Sequence, residues 1–392
     1  MSDLRRLSTT RLIAVCAAAL AVLLLGVAIA NAVGTAGSPP PPKSLPKAVH
    51  DAVTAPAPVG ISARIKFTSK LVGGSLIDER TSPLLKGATG RLWIAQGDRL
   101  RLELQSDRGD TQIVSDGHRF LFSDPSSHTV YTGAIPAHHE RRVHHERKPS
   151  LAEINKGLGR LSRFAQVVGP GREVVAGRPA YSVRVEPKNN HGRFGGVGGA
   201  WDAIRGVPLR FAIYATGAKA PVLELEATDV TYGPVAASVF RVSAPRGAKV
   251  HSVETSGHTR LHRSGSRTKE RGVSGVAAVK KVVPFLTAPD QLAGRRRTEV
   301  RLINAHRSPA AIVVYGKPLL GGLVVIERRI TKASARESGN TRNLPHVKIG
   351  GVDATEVSTA LGTLVSFDRA GVHYVVVGPV GKSTAEAAAR GL

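Results

Sequence analysis

"WDAIRGVPLRFAIYATG", residues Trp201–Gly217, carries the signal that decides the fold. Leu209, Phe211 and Ile213 alternate with Arg210, Ala212 and Tyr214, the period of a half-buried strand. Ahead of them Asp202, Gly206 and Pro208 supply turn chemistry. The stretch is one-sided and holds almost nothing that could catalyse a reaction.

The same pattern extends in both directions. Towards the N-terminus, "ISARIKFTSKL", "GRLWIA", "DRLRLELQSD", "TQIVSDGHRFLFSD" and "HTVYTG" read as a meander of short strands. Leu100, Leu102 and Leu104 face one way there, and Arg99, Arg101 and Glu103 the other. A helix follows, with a capping box at Ser150 and Glu153 and with Leu151, Ile154, Leu158 and Leu161 on one face. Strands resume at "REVVAGRPAYSVRVEP", "VPLRFAIYATG" and "PVLELEATDVTYG", where Val183, Leu223 and Leu225 continue the apolar alternation. "SVFRVSAPRGAKV" closes the unit, and a further short helix is expected over residues 45–54.

These signals divide the chain into a Pro-rich spacer (35–47), a strand-rich domain (48–250), a basic linker (251–275) and a smaller α/β domain (276–392). In the last, strands are expected at "TEVRLIN", "AAIVVYG", "GGLVVIERR", "PHVKIGG", "GTLVSFDRAG" and "VHYVVVG". Helices are expected over 354–361, capped by Asp353, and over the C-terminal "STAEAAARGL", with a capping box at Ser383 and Glu386. The fold class is therefore α+β.

Composition narrows the function. With 392 residues and 42% hydrophobic content the chain has room for two or three real cores. The formal charge of +26 points to a polyanionic neighbour, although a genome biased to Arg, Ala, Gly and Val, such as an actinobacterial one, produces part of it. Aromatics at 4% leave few stacking platforms for single-stranded nucleic acid. Cys16 is the only cysteine, which excludes a zinc finger.

Arg5, Arg6 and Arg11 precede an uncharged stretch from Leu12 to Gly34, behind a basic N-terminus of residues 1–11. About 20 apolar residues span a bilayer core, and the charge ahead of them predicts an N-in, C-out single-pass anchor in the cell membrane. Ala30-Asn31-Ala32 has the small-x-small form of a cleavage site, so a cleaved signal peptide is the alternative. Either reading makes the chain beyond Ala32 extracytoplasmic. Cys16 lies at the start of the run and is no lipidation cysteine.

No catalytic or metal constellation assembles. In "AHHERRVHHERKPS" the H-E-x-x-H spacing fails by one residue, because Val143 precedes His144, and a solvated basic loop is the plainer reading. "GPVGKS" has Val376 where a phosphate-binding loop needs its first glycine, and reads as a turn. "GGVGGAW" lacks the third glycine of a dinucleotide fingerprint and reads as lying between strands. Glu224 and Glu226 read as a solvated face, and "GRRRTEVR", with a phosphate-binding patch as the alternative, as an exposed edge leading into a strand. No cofactor is called for.

Three segments in order carry a resemblance: "VAGRPAYSVRVEP", "AWDAIRGVPLRFAIYATGAKAPVLELEATDVTYG" and "ASVFRVSAPRGAKV". Together they resemble the LolA-like superfamily of lipoprotein carriers and periplasmic sensors, over roughly residues 48–250. The resemblance implies a curved antiparallel sheet, a half-open barrel wrapped around helices, whose apolar concave face binds an acyl chain or an apolar polypeptide. On this chain that face is Leu102, Leu104, Val183, Leu209, Phe211, Ile213, Leu223 and Leu225. The expected partner is an acyl lipid or lipoprotein, bound without catalysis. The anchor and second domain are closer to the superfamily's MucB/RseB-type sensor branch, which implies the alternative: binding an anti-sigma factor or other envelope regulator. A polyanion-binding wall protein is the third possibility, and specific nucleic-acid binding is not expected.

Overall fold

The computed structural model describes residues 37–72, 83–105, 110–124, 129–135, 148–241, 243–244, 247–252, 273–305, 308–330 and 344–392. The apolar segment at 12–34, the histidine-rich stretch at 136–147 and most of the basic linker lie outside them. Among the described residues no helix is long and apolar enough to cross a membrane.

Helix α1 (Leu45–Thr54) leads into a meander of β1 (Gly60–Ser69), β2 (Ala88–Ala95), β3 (Arg99–Leu104), β4 (Thr111–Asp116), β5 (Arg119–Asp124) and β6 (Thr129–Ala134). Helix α2 (Leu151–Leu161) separates it from a second meander: β7 (Ala165–Val175), β8 (Arg178–Pro187), β9 (Phe194–Asp202), β10 (Pro208–Ala215) and β11 (Leu223–Tyr232). The two meanders become one sheet because β1 pairs antiparallel with β11, from Ile61 opposite Tyr232 to Ser69 opposite Leu223. A last strand, β12 (Lys249–Ser252), returns parallel to β6, giving the order β12-β6-β5-β4-β3-β2-β1-β11-β10-β9-β8-β7. The sheet curls as a half-barrel, with bulges where β1 meets β11 and β7 meets β8, since a bulge adds local twist.

The turn ahead of β10 anchors α1. Asp202, 2% exposed, accepts the Ile204 and Arg205 backbone N–H groups on Oδ1 and the Tyr232 hydroxyl on Oδ2. Burial, with the Asp202 carboxylate beside it, pushes the Tyr232 hydroxyl well above its ordinary pKa. Gly206 follows at φ +67°, and a Cβ there would lie 2.3 Å from the Ala52 carbonyl oxygen. Glycine is therefore what lets α1 sit directly on the turn. The arm before α1 is pinned as well: Arg172 and the Tyr181 hydroxyl donate to the carbonyls of Pro40 and Pro41. Burial works against ionisation of Asp51, but bonds from Lys43, Lys47 and His50 hold its carboxyl at about 2.

Helix α2 has the expected capping box, with the Ser150 side chain accepting from Glu153 N–H and the Glu153 side chain accepting from Ser150. Its apolar face, however, buries no residue.

The second unit begins with α3 (Val276–Val282). Its sheet contains β13 (Gln291–Leu292), β14 (Arg295–Ala305), β15 (Ser308–Tyr315), β16 (Leu323–Arg329), β17 (His346–Ile349), β18 (Val352–Thr359), β19 (Gly362–Arg369) and β20 (Val372–Gly378). They are ordered β13-β14-β15-β16-β20-β19-β18-β17, and α4 (Lys382–Arg390) packs on β19 and β20. Tyr315, Leu323, Ile349 and Val376 are fully buried in this unit's own core.

Three local readings are corrected. Residues 354–361 are not a helix: β18 runs between a Gly350-Gly351 turn and Gly362, paired with β17 and β19. Its β-branched residues Val352, Thr355, Val357 and Thr359 fit that pairing. Helix α4 has no capping box; its N-cap is Gly381, and Lys382 instead pairs with Glu356 at 2.7 Å. "GGVGGAW" does not lie between strands but forms most of β9, where Gly198 leaves room for the Tyr214 ring.

Candidate functional site

The strand registers place the eight apolar candidates on one face. Leu102 and Leu104 lie opposite Leu92 and Gly90, which lie opposite Ala63 and Ile65 on β1. Phe67 faces Leu225, Leu225 faces Phe211, and Leu223 faces Ile213. Phe211 then faces Gly199, which faces Val183. Leu209, at a bulge, keeps the alternation of β10.

Packing divides that face in two. Leu102, Leu104, Leu209 and Leu223 are 6%, 2%, 3% and 5% exposed, closed in by Ile61, Ile65, Phe67 and their neighbours. Ile213 and Leu225 are half-buried against the same cluster, whereas Phe211 and Val183 are half-buried outside it. Between the last two, a Cβ on Gly199 would meet nothing nearer than the Arg210 carbonyl oxygen at 3.4 Å. Of the eight, Phe211 on β10 and Val183 on β8 are therefore the two left outside the packed cluster.

The opposite face is charged but not simply solvated. Arg210 donates two bonds to Glu173, at 2.8 and 2.7 Å, and lies 3.8 Å from Glu224. Burial and the neighbouring Glu226 raise the Glu224 carboxyl pKa; burial works to lower that of Arg210, which the bonds to Glu173 override. Arg210→Ala should cost about 1–3 kcal/mol at neutral pH. Without the guanidinium the folded-state Glu224 carboxyl pKa rises further, so stability is lost as pH rises through it. The deficit should shrink as pH falls from that raised value towards the ordinary carboxylate range of about 4. Urea unfolding at two pH values checks this; a pH-independent deficit contradicts it.

The second unit closes one end of the first. At the β18–β19 turn, Ala360 and Leu361 pack against the first core, and the Ala360 N–H donates to the Leu71 carbonyl at 3.1 Å. Arg193 donates its backbone N–H to the Pro379 carbonyl at 2.6 Å and a guanidinium N–H to the Thr359 carbonyl at 2.8 Å. Nearby the backbones touch: a Cβ on Gly192 would lie 2.6 Å from the Gly321 nitrogen, and one on Gly321 2.8 Å from the His191 carbonyl.

Beside this contact lies an open cleft of about 560 Å³ built by both units. Arg163, Phe164, Lys188 and His191 come from the first unit, and Arg295, Lys317 and Leu320 from the second. The cleft lining has no carboxylate. Lys188 donates to the Ser162 carbonyl and Arg295 to those of Ala293 and Gly321. Among the described residues the Arg163 and Lys317 side chains make no hydrogen bond or ion pair, so their charge is available to a ligand. Sequence reading missed this cleft. Gly294 and Arg295 of its lining belong to the stretch read as an exposed strand edge.

No protein-family description matches the sequence, and no curated protein matches it. Among solved structures the chain is similar to MucB in complex with MucA(peri), at 14% identity and a TM-score of 0.40, over 84% of this chain and 91% of that one. It is similar also to the Pseudomonas aeruginosa MucA/MucB complex, at 14% identity and a TM-score of 0.42, over 88% and 94%. An uncharacterized conserved protein from Thermus thermophilus aligns over 53% of this chain and 96% of its own, at 9% identity and a TM-score of 0.31.

Proposed function

We propose that this protein is a membrane-tethered, extracytoplasmic binding module, without catalysis, that takes up an extended acidic segment of a membrane regulator such as an anti-sigma factor. The observation that carries the reading is the cleft between the units: four cationic side chains and no carboxylate, flanked by Phe164 and Leu320. Such a lining selects a chain alternating carboxylates with apolar side chains, and charge complementarity steers its approach. The regulator class is the partner that the sequence resemblance implies.

A fluorescent synthetic peptide alternating Glu with Leu tests the reading. Arg163→Glu combined with Lys317→Glu should weaken its binding about tenfold or more, each 1.4 kcal/mol being a factor of ten. Lys280→Glu combined with Lys281→Glu, on α3, makes the same change in net charge away from the cleft and should leave binding nearly unchanged. Equal losses in both variants would mean that net charge alone attracts the peptide, and the reading fails.

Acyl-lipid binding is the second reading, favoured by Val183 and Phe211, half-buried outside the core on either side of Gly199. Each buried CH₂ contributes about 0.8 kcal/mol. Organic extraction and mass spectrometry of the purified chain, with Phe211→Glu as control, tests it. Lipid that disappears in the variant supports this second site.

A further inference from the structure

We propose that the surface formed by α1, α2 and β7 lies directly on an anionic lipid bilayer, fixing the cleft mouth at membrane level. The proposal rests on the membrane tether of the preceding reading but not on what the cleft binds.

Three observations converge. Helix α2 is capped and amphipathic, yet its stripe is only partly covered: Ile154 and Leu158 are half-buried, and no residue of the helix is fully buried. Leu151 and Leu161 remain 42% and 38% exposed, with Phe164 at 73% and Val168 at 50% just beyond the helix. A surface helix of this kind ordinarily turns its apolar stripe to a core; exposed at both ends and continued by Phe164 and Val168, the stripe suits the boundary between headgroups and acyl chains.

The charge around the stripe has the sign that an anionic membrane attracts. Lys156 and Arg160 on α2, and Arg163 after it, make no side-chain hydrogen bond or ion pair among the described residues. The nearby carboxylates are engaged internally: Glu153 in the cap, Asp51 by Lys43 and Lys47, Glu173 by Arg210.

The third observation is reach. The apolar segment ends at Gly34, and the chain is already fixed to the sheet at Pro40 and Pro41. Five residues lie between Gly34 and Pro40, a span of about 20 Å even when fully extended. The arm joins α1, which packs against α2. A chain leaving the bilayer therefore meets the protein on the face that carries the exposed apolar stripe.

Phe164 and Arg163 belong to this face and to the cleft lining alike. A partner segment emerging from the same membrane would meet the cleft without crossing bulk water.

The test uses the full chain with Cys16→Ala, reconstituted in vesicles and labelled through Val168→Cys with a fluorophore. Lipids carrying a nitroxide on the headgroup serve as quencher. Quenching at position 168 should clearly exceed that at a Lys280→Cys label in vesicles of phosphatidylglycerol mixed with phosphatidylcholine. Lys156→Glu with Arg160→Glu should weaken this docking about tenfold or more, given the usual contribution of each surface cation. Leu151→Glu with Leu161→Glu should abolish the excess; neither pair lines the cleft, so peptide binding should persist in both. Equal quenching at 168 and 280 would overturn the proposal whatever the peptide does, whereas loss of peptide binding alone bears only on the cleft.

Discussion

Gly192→Val is expected to part the two units while leaving each folded. The new Cβ would lie 2.6 Å from the Gly321 nitrogen, 2.7 Å from the Pro379 carbonyl oxygen and 2.8 Å from the Gly321 Cα. All three are backbone atoms, so no rotamer change relieves the contact. Separation would also release the Arg193 bonds and expose Ala360 and Leu361. Circular dichroism should change little, small-angle scattering should show a larger radius of gyration, and peptide binding at the cleft should be lost. A variant with the wild-type radius and wild-type binding would show that the backbone contact is not what joins the units.

The second large effect separates the packed core of the face from its half-buried remainder. Leu104→Asp places an unpaired carboxylate at a position 2% exposed, among Phe67, Leu102 and Ile65. An uncompensated buried charge costs about 3–5 kcal/mol, comparable with the roughly 5–15 kcal/mol that holds a typical domain together. The first unit should be largely unfolded at physiological temperature. Val183→Asp, on the same face but half-buried outside the core, should cost about 1 kcal/mol or less. Thermal unfolding of both variants decides it, and similar melting temperatures would contradict the division of the face.

That division was only half visible in the sequence. Alternation identifies the face correctly, because a strand's side chains must point alternately and the registers then carry the face from strand to strand. Whether a side chain is capped by a neighbour depends on curvature and on what lies across the sheet. Leu209 and Phe211 look identical in the pattern, yet one is core and the other is not.

Helix α2 was legible from its capping box, but the exposed ends of its stripe were not, since amphipathicity does not say what the stripe meets. Strand β9 was hidden by its glycines, which have low strand propensity and are there for close approach. Strand β18 was hidden by spacing that also suits a helix, with Ala354, Val357 and Leu361 three and four apart. The cleft could not be read at all: Arg163 and Lys317 are brought together only when two separately cored units dock.

The proposed function requires above all that the cleft receive a peptide chain of opposite charge. A photoreactive amino acid at Leu320, irradiated in intact cells and followed by mass spectrometry of the adduct, tests it most directly. The expected adduct is an acidic, extracytoplasmic stretch of a single-pass membrane protein, lost when Arg163 and Lys317 are both changed to glutamate. Adducts that contain only lipid, or that persist unchanged in that double variant, would contradict it.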